Sequence, residues 1–131
     1  MPETIFSKII CGEIPCHRLA EDDRFLAFLD VRPVGEGHAL VIPKKEVDYL
    51  FDLDDDVLGA ILLFARPVAR AIERVVPCKR IGIMVAGLEV PHAHVHLVPI
   101  RAISDLSFAH ARPAEQDALA ALAEKIRAAM T

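Results

Sequence analysis

The sequence predicts an α+β domain: a five-stranded, mostly antiparallel sheet with helices packed on it. Five short runs of strand character lie at 17–20, 24–30, 38–45, 80–86 and 91–100. Every connection between them is short except one, and that one carries a helical pattern at 54–75, which suits antiparallel neighbours. No linker, internal repeat or low-complexity tract divides the chain, so residues 1–131 read as one domain.

Residues 4–11 place Ile5, Phe6, Ile9 and Ile10 on one face of a short helix, with Gly12 as its stop. The first two strands flank the turn-forming trio Glu21-Asp22-Asp23. In the second strand Phe25, Ala27 and Leu29 alternate with Leu26, Phe28 and Asp30, so both faces are largely apolar and the strand belongs inside the sheet. Pro33, Gly35 and Gly37 mark a loop, after which His38 opens the third strand. Asp54, Asp55 and Asp56 suit the positive N-terminal end of the main helix. Leu58, Ile61, Leu62, Ala65, Val68, Ala69 and Ile72 then give it a broad apolar stripe. Pro67 lies inside this pattern and opposes the carbonyl of Leu63, so a kink or an early break is expected there. The fourth strand ends at Gly87. Residues 102–111 show no period, and a helix comes next over about 113–130 with Leu119, Leu122, Ile126 and Met130 on one stripe.

Hydrophobic residues make up 53% of the chain and charged residues 26%, as in a packed globular domain. A formal net charge of −4 with no basic cluster excludes the footprint of a nucleic-acid polymer, though a small anion needs only a local site. No basic segment followed by an apolar run opens the sequence, and no apolar stretch is long enough to span a bilayer. Three cysteines (Cys11, Cys16 and Cys78) form no disulfide framework and read as free thiols of a cytoplasmic protein. Cys11 and Cys16, beside His17, have the spacing of a zinc pair but lack a second pair.

Three of the six histidines fall within five positions of the fifth strand, alternating with apolar residues. On a strand, His92, His94 and His96 line one face while Ala93, Val95 and Leu97 turn into a core. Two chemistries fit such a row. Two imidazoles at i and i+2 can chelate one ion; the whole row spans roughly 13 Å, so a further ligand such as His38 would have to complete the site. Alternatively the middle residue, His94, acts as a nucleophile, its neighbours donating hydrogen bonds to charge developing on a transferred group.

The stretch His92-Ala93-His94-Val95-His96-Leu97-Val98 resembles the signature of the histidine-triad (HIT) family at all seven positions. The resemblance extends upstream through Thr4–Ile10, Glu13–Pro15, Glu21–Asp23, Leu26–Asp30 and Gly37–Lys45, which are similar to the Hint branch of nucleotide-binding proteins. It covers 4–100 well and the C-terminal extension poorly. It implies a HIT-like fold paired in a homodimer. It further implies hydrolysis or nucleotidyl transfer at the α-phosphorus of AMP-type purine nucleotides (phosphoramidates, acyl-adenylates or dinucleoside polyphosphates) without a metal or other cofactor. By the same resemblance His94 is the nucleophile, His96 touches the phosphate and leaving-group side, and His38 and His92 orient the imidazoles. Asp30 would hold the ribose hydroxyls, while Ile5, Phe6, Ile9, Ile14, Phe28 and Val31 would enclose the base.

The chain departs from that pattern beside the triad. Gly87-Leu88-Glu89 stands where the family often has Gly-Gln-Ser/Thr, so Glu89 takes the position of a phosphate-touching hydroxyl and is counted with the nucleotide-binding residues. Ser7 occupies one position of the zinc cysteine pair of some relatives, and Ile100 replaces a common arginine. A nucleotide- or partner-binding module with little turnover is the alternative these departures suggest, and a metal-dependent hydrolase is a third.

Overall fold

A computed structural model describes residues 4–130. One five-stranded sheet runs in the order β1-β2-β3-β5-β4, all neighbours antiparallel. Its strands are β1 (Arg18–Glu21), β2 (Phe25–Leu29), β3 (Ala39–Pro43), β4 (Arg80–Met84) and β5 (Val95–Ile100). Three helices accompany it: α1 (Ile5–Ile10), α2 (Asp55–Val75) and α3 (Gln116–Ala128). Three-residue 3-10 turns lie at Leu50–Asp52, Ile103–Asp105 and Phe108–His110. Among the described residues no helix is long and apolar enough to cross a membrane.

Alternation sorts the sheet's side chains onto two unequal faces. Phe25, Ala27, Leu29, Ala39, Val41, Val95 and Leu97 pack against Ile61, Ala65, Val68 and Ile72 of α2 and against Leu119, Ala123 and Ile126 of α3. The opposite face carries a smaller cluster, Leu26, Phe28, Leu40 and Ile42 beneath Phe6 of α1. Both faces of β2 are buried, as expected for an interior strand. The C-terminal helix is therefore part of the main core rather than an appendage to a domain ending near residue 100.

Three local expectations are corrected. Helix α2 runs unbroken through Pro67. Pro67 and Leu63 are both exposed, so the carbonyl that loses its partner is open to water rather than buried. Helix α1 is held by a reciprocal cap in which Thr4 and Ser7 satisfy each other's backbone N–H groups, and it buries Phe6 while Ile5 stays half exposed. The fifth strand starts at Val95, so of the three triad histidines only His96 lies in the ladder.

Gly37 locks the turn before β3 onto the main core. Its φ of 88° is left-handed, and a Cβ there would stand 2.9 Å from Val76 Cγ2 and 3.0 Å from Pro99 Cγ. Gly37→Ala should lower stability by about 2 kcal/mol, strain and overpacking acting together, read as a drop in the urea midpoint. An unchanged midpoint would mean that this turn is not held where the fold places it.

Candidate active site

The histidines come together on the smaller face of the sheet. His38 enters from the residue before β3, His96 from β5, and His92 and His94 from the extended segment leading into β5; all four are buried. Their rings form part of an aromatic row. Phe6 stands edge-on to His94 at 5.0 Å, His94 to His96 at 4.9 Å, and His96 to Phe108 at 5.0 Å. Phe6 also meets Phe28 at 5.8 Å and His92 at 5.9 Å.

Hydrogen bonds fix the tautomer of each ring, because a neutral imidazole has one donor and one acceptor nitrogen. The N–H of Val34 lies 3.0 Å from His38 Nδ1, which must accept, so His38 carries its proton on Nε2. That Nε2–H donates to His96 Nδ1 at 2.9 Å, leaving His96 with its own proton on Nε2. His94 is set the other way: its Nδ1–H donates to the carbonyl of His92 at 2.7 Å, so Nε2 keeps a free lone pair. His92 donates from Nε2 to the carbonyl of Pro43 at 2.7 Å, and its buried Nδ1 has no partner among the described residues. The centre of the site thus offers a lone pair on His94 and an N–H on His96, side by side.

Burial keeps His38, His92 and His96 neutral. It pushes His96 down to about 3, with His38 and His94 adding to the effect. Burial likewise lowers His38, against the pull of the Asp30 carboxylate, and lowers His92, against its hydrogen bond to Pro43. Asp30 Oδ1 accepts from the Arg32 N–H at 2.9 Å, and Oδ2 lies 3.6 Å from His38 Nε2.

Asp30, His38 and His96 are the one group among the described residues whose donor atoms lie close enough together for a metal. Two nitrogens bound to one tetrahedral ion stand roughly 3.3 Å apart, given bonds of about 2.0 Å. The 2.9 Å between His38 and His96 is instead the length of a hydrogen bond, with the second nitrogen of His38 already engaged. Cys11 and Cys16 form no such group: Cys11 Sγ contacts the Lys8 carbonyl.

A model for the HIT domain matches residues 11–103. The chain belongs to the HIT family. It is 41% identical over 97 residues to the adenosine 5'-monophosphoramidase hnt1 of Schizosaccharomyces pombe, covering 72% of each chain. It is 33% identical over 102 residues to the adenylylsulfatase HINT3 of Arabidopsis thaliana, covering 74% of this chain and 52% of that one. Among solved structures, a Hit-like protein involved in cell-cycle regulation from Bartonella henselae superposes with a TM-score of 0.86 at 32% identity, covering 97% of this chain and 96% of that one. The likeness of fold thus reaches past the HIT model into the C-terminal helix.

Not every residue that the sequence nominates stands against the histidines. Phe6 and Phe28 do, or pack on those that do, and Ile9 joins their cluster. Ile14 shares with Ile9 a cleft of about 600 Å³ that also takes in His17 and Arg127. Ile5 and Val31 are about half exposed, and Glu89 is exposed in the loop before the triad. Sequence reasoning missed Phe108, which lies in a stretch without period, and the backbone groups of Val34 and Pro43 that set the tautomers.

Buried neutral histidines make stability depend on pH. Above about 6.5, the ordinary histidine value, His38, His92 and His96 are neutral in both folded and unfolded chains. As pH falls, the unfolded chain takes up protons that the folded one refuses, so stability falls from about 6.5 towards about 3. The urea midpoint should drop between about pH 7 and about pH 4.5, and drop less in His96→Gln. A level midpoint in the unsubstituted protein would contradict neutral burial.

Proposed function

We propose that this protein is a nucleotide hydrolase that cleaves at the α-phosphorus of AMP-type purine nucleotides through a covalent nucleotidyl-His94. One observation carries the reading: the Nδ1–H of His94 is held by the His92 carbonyl, so its nucleophilic Nε2 is unprotonated beside a fixed N–H donor. The named activities of the hnt1 and HINT3 relatives support the substrate class.

In the first step His94 Nε2 attacks phosphorus and the bond to the leaving group breaks. The leaving amine or oxyanion departs with that electron pair and takes its proton from solvent. His96 is not the acid: its Nδ1 already accepts from His38, and it is neutral, so it has only an Nε2–H to lend. That N–H hydrogen-bonds a phosphoryl oxygen and becomes more valuable as charge gathers there. The nucleotidyl-imidazolium is cationic, and the His92 carbonyl faces its Nδ1–H. Water then attacks phosphorus, the electron pair of the phosphorus–nitrogen bond returns to Nε2, and the water's proton leaves to solvent. No step requires a metal or other cofactor. His38 and His92 orient the imidazoles, Asp30 takes the ribose hydroxyls, and Ile5, Phe6, Ile9, Ile14, Phe28 and Val31 enclose the base.

The active form is a homodimer paired through one of the two edges of the sheet. Strand β4 is that edge, and it exposes Ile83, with Val85 just beyond it. Leu62 and Leu63 of α2 are exposed as well, and with Ile81 and Ile83 they line a cleft of about 440 Å³. Edge strands this apolar are ordinarily covered.

A second reading, nucleotide or partner binding with little turnover, draws on Leu88 and Glu89. Neither Leu88 nor Glu89 has a hydroxyl to offer a phosphate, and both side chains are exposed, Leu88 at 93%.

Replacing His94 by Ala or Asn should cut release of AMP from adenosine phosphoramidate on the order of a thousandfold or more while the thermal transition persists. Intact-mass spectra of unsubstituted protein quenched during turnover should show one added nucleotidyl group. Retained activity in both variants would remove His94 as the nucleophile; binding without turnover in the unsubstituted protein would favour the second reading. For the dimer, Ile83→Lys should convert the species seen in sedimentation to a monomer, and an unchanged mass would place the interface elsewhere.

A further inference from the structure

Residues 101–114 leave the end of β5 and cross back over the triad's face of the sheet. Leu106 sits over Gly82, where a Cβ would meet its two δ-carbons at 3.0 Å, and Gly82 pairs with Val98 on the face that carries His96. Asp105 Oδ2 accepts the N–H groups of Arg101 and Ala102, and His110 bonds the Ser104 carbonyl. Further along, the N–H groups of Arg112 and Ala114 donate to the carbonyls of Pro33 and Val31, in the loop after Asp30. The strap is thus fastened at both ends, and between the fastenings it lays Phe108 against His96 at 5.0 Å with the planes 65° apart.

Packing alone does not account for this ring. Phe108 remains 41% exposed, so much of it is open to solvent beside the imidazole that lends its N–H to the transferred phosphoryl group. Phe6 and Phe28 occupy the other end of the aromatic row. With the nucleoside against them, Phe108 is the aromatic surface of the row left free for the other substituent on phosphorus.

We propose that Phe108 is a specificity-determining residue that favours leaving groups carrying a flat apolar ring, which it receives edge-on or offset. This rests on the hydrolase reading above. An aromatic partner adds modestly to binding, so the preference it confers is about tenfold.

The test compares kcat/KM for adenosine phosphoramidate, whose leaving group is ammonia, with that for its N-benzyl derivative. The ratio of benzyl to unsubstituted substrate should fall about tenfold in Phe108→Ala. It should fall in Phe108→Leu too, which keeps apolar volume over His96 without the ring, and should be restored in Phe108→Trp. If both substrates lose equally, Phe108 only holds His96 in place and the proposal is overturned; an unchanged or higher ratio overturns it as well. If the unsubstituted protein releases AMP from neither substrate, the hydrolase reading falls first and takes this one with it, an outcome that the ratio experiment cannot be confused with.

Discussion

Much of the site depends on one short hydrogen bond, from His94 Nδ1–H to the carbonyl two residues earlier. A neutral imidazole places its single lone pair on whichever nitrogen is not protonated, and in water the two forms exchange freely. Pinning the proton on Nδ1 requires an acceptor held within hydrogen-bond distance of that nitrogen. The His92 carbonyl is so held, and because strand pairing begins only at Val95, no ladder N–H competes for it. The late start of β5 thus leaves this carbonyl to the His94 ring and, through it, a defined lone pair on Nε2. Ala93 secures the same segment by donating to the Val47 carbonyl at 2.7 Å, which holds the backbone in place without consuming the acceptor.

The second pair of rings reads as a relay of orientation rather than of protons. A backbone N–H of Val34 dictates the tautomer of His38, and His38 in turn dictates that of His96. The end of this sequence is a donor beside the acceptor of His94. Desolvation is what makes the arrangement hold, since a protonated ring at either position would carry two donors and break the order. Low histidine pKa values and fixed tautomers are thus the same fact seen twice.

The sheet and much of the site are legible in the sequence because period-two alternation is a strong signal and here serves both purposes. Ala93, Val95 and Leu97 are buried in or beside the main core, as the alternation requires, while the histidines face the other way. What is not legible has identifiable causes. Pro67 reads as a break because a sequence does not show whether the lost hydrogen bond faces solvent. Ile5 reads as part of a buried face, yet a six-residue helix has room for little more than Phe6, Ile9 and Ile10 beneath it. Phe108 leaves no trace because its position comes from capped turns and backbone bonds to a distant loop, which carry no periodicity.

The unequal division of the sheet explains how the protein tolerates such a site. Four buried imidazoles, one with a fully buried nitrogen that has no partner among the described residues, are a destabilising load; a single buried polar atom left without a partner costs about 1–3 kcal/mol. The larger face bears none of it: its buried cluster of β2, β3, β5, α2 and α3 side chains is wholly apolar. The C-terminal helix matters here because Leu119, Ala123 and Ile126 enlarge that face behind β1 and β2. The histidines can then be held rigid by a core they do not enter, with α1 and the strap of residues 101–114 left as thin covers on the working side. Covers this thin add little burial of their own, so the stability of the fold rests on the other side of the sheet.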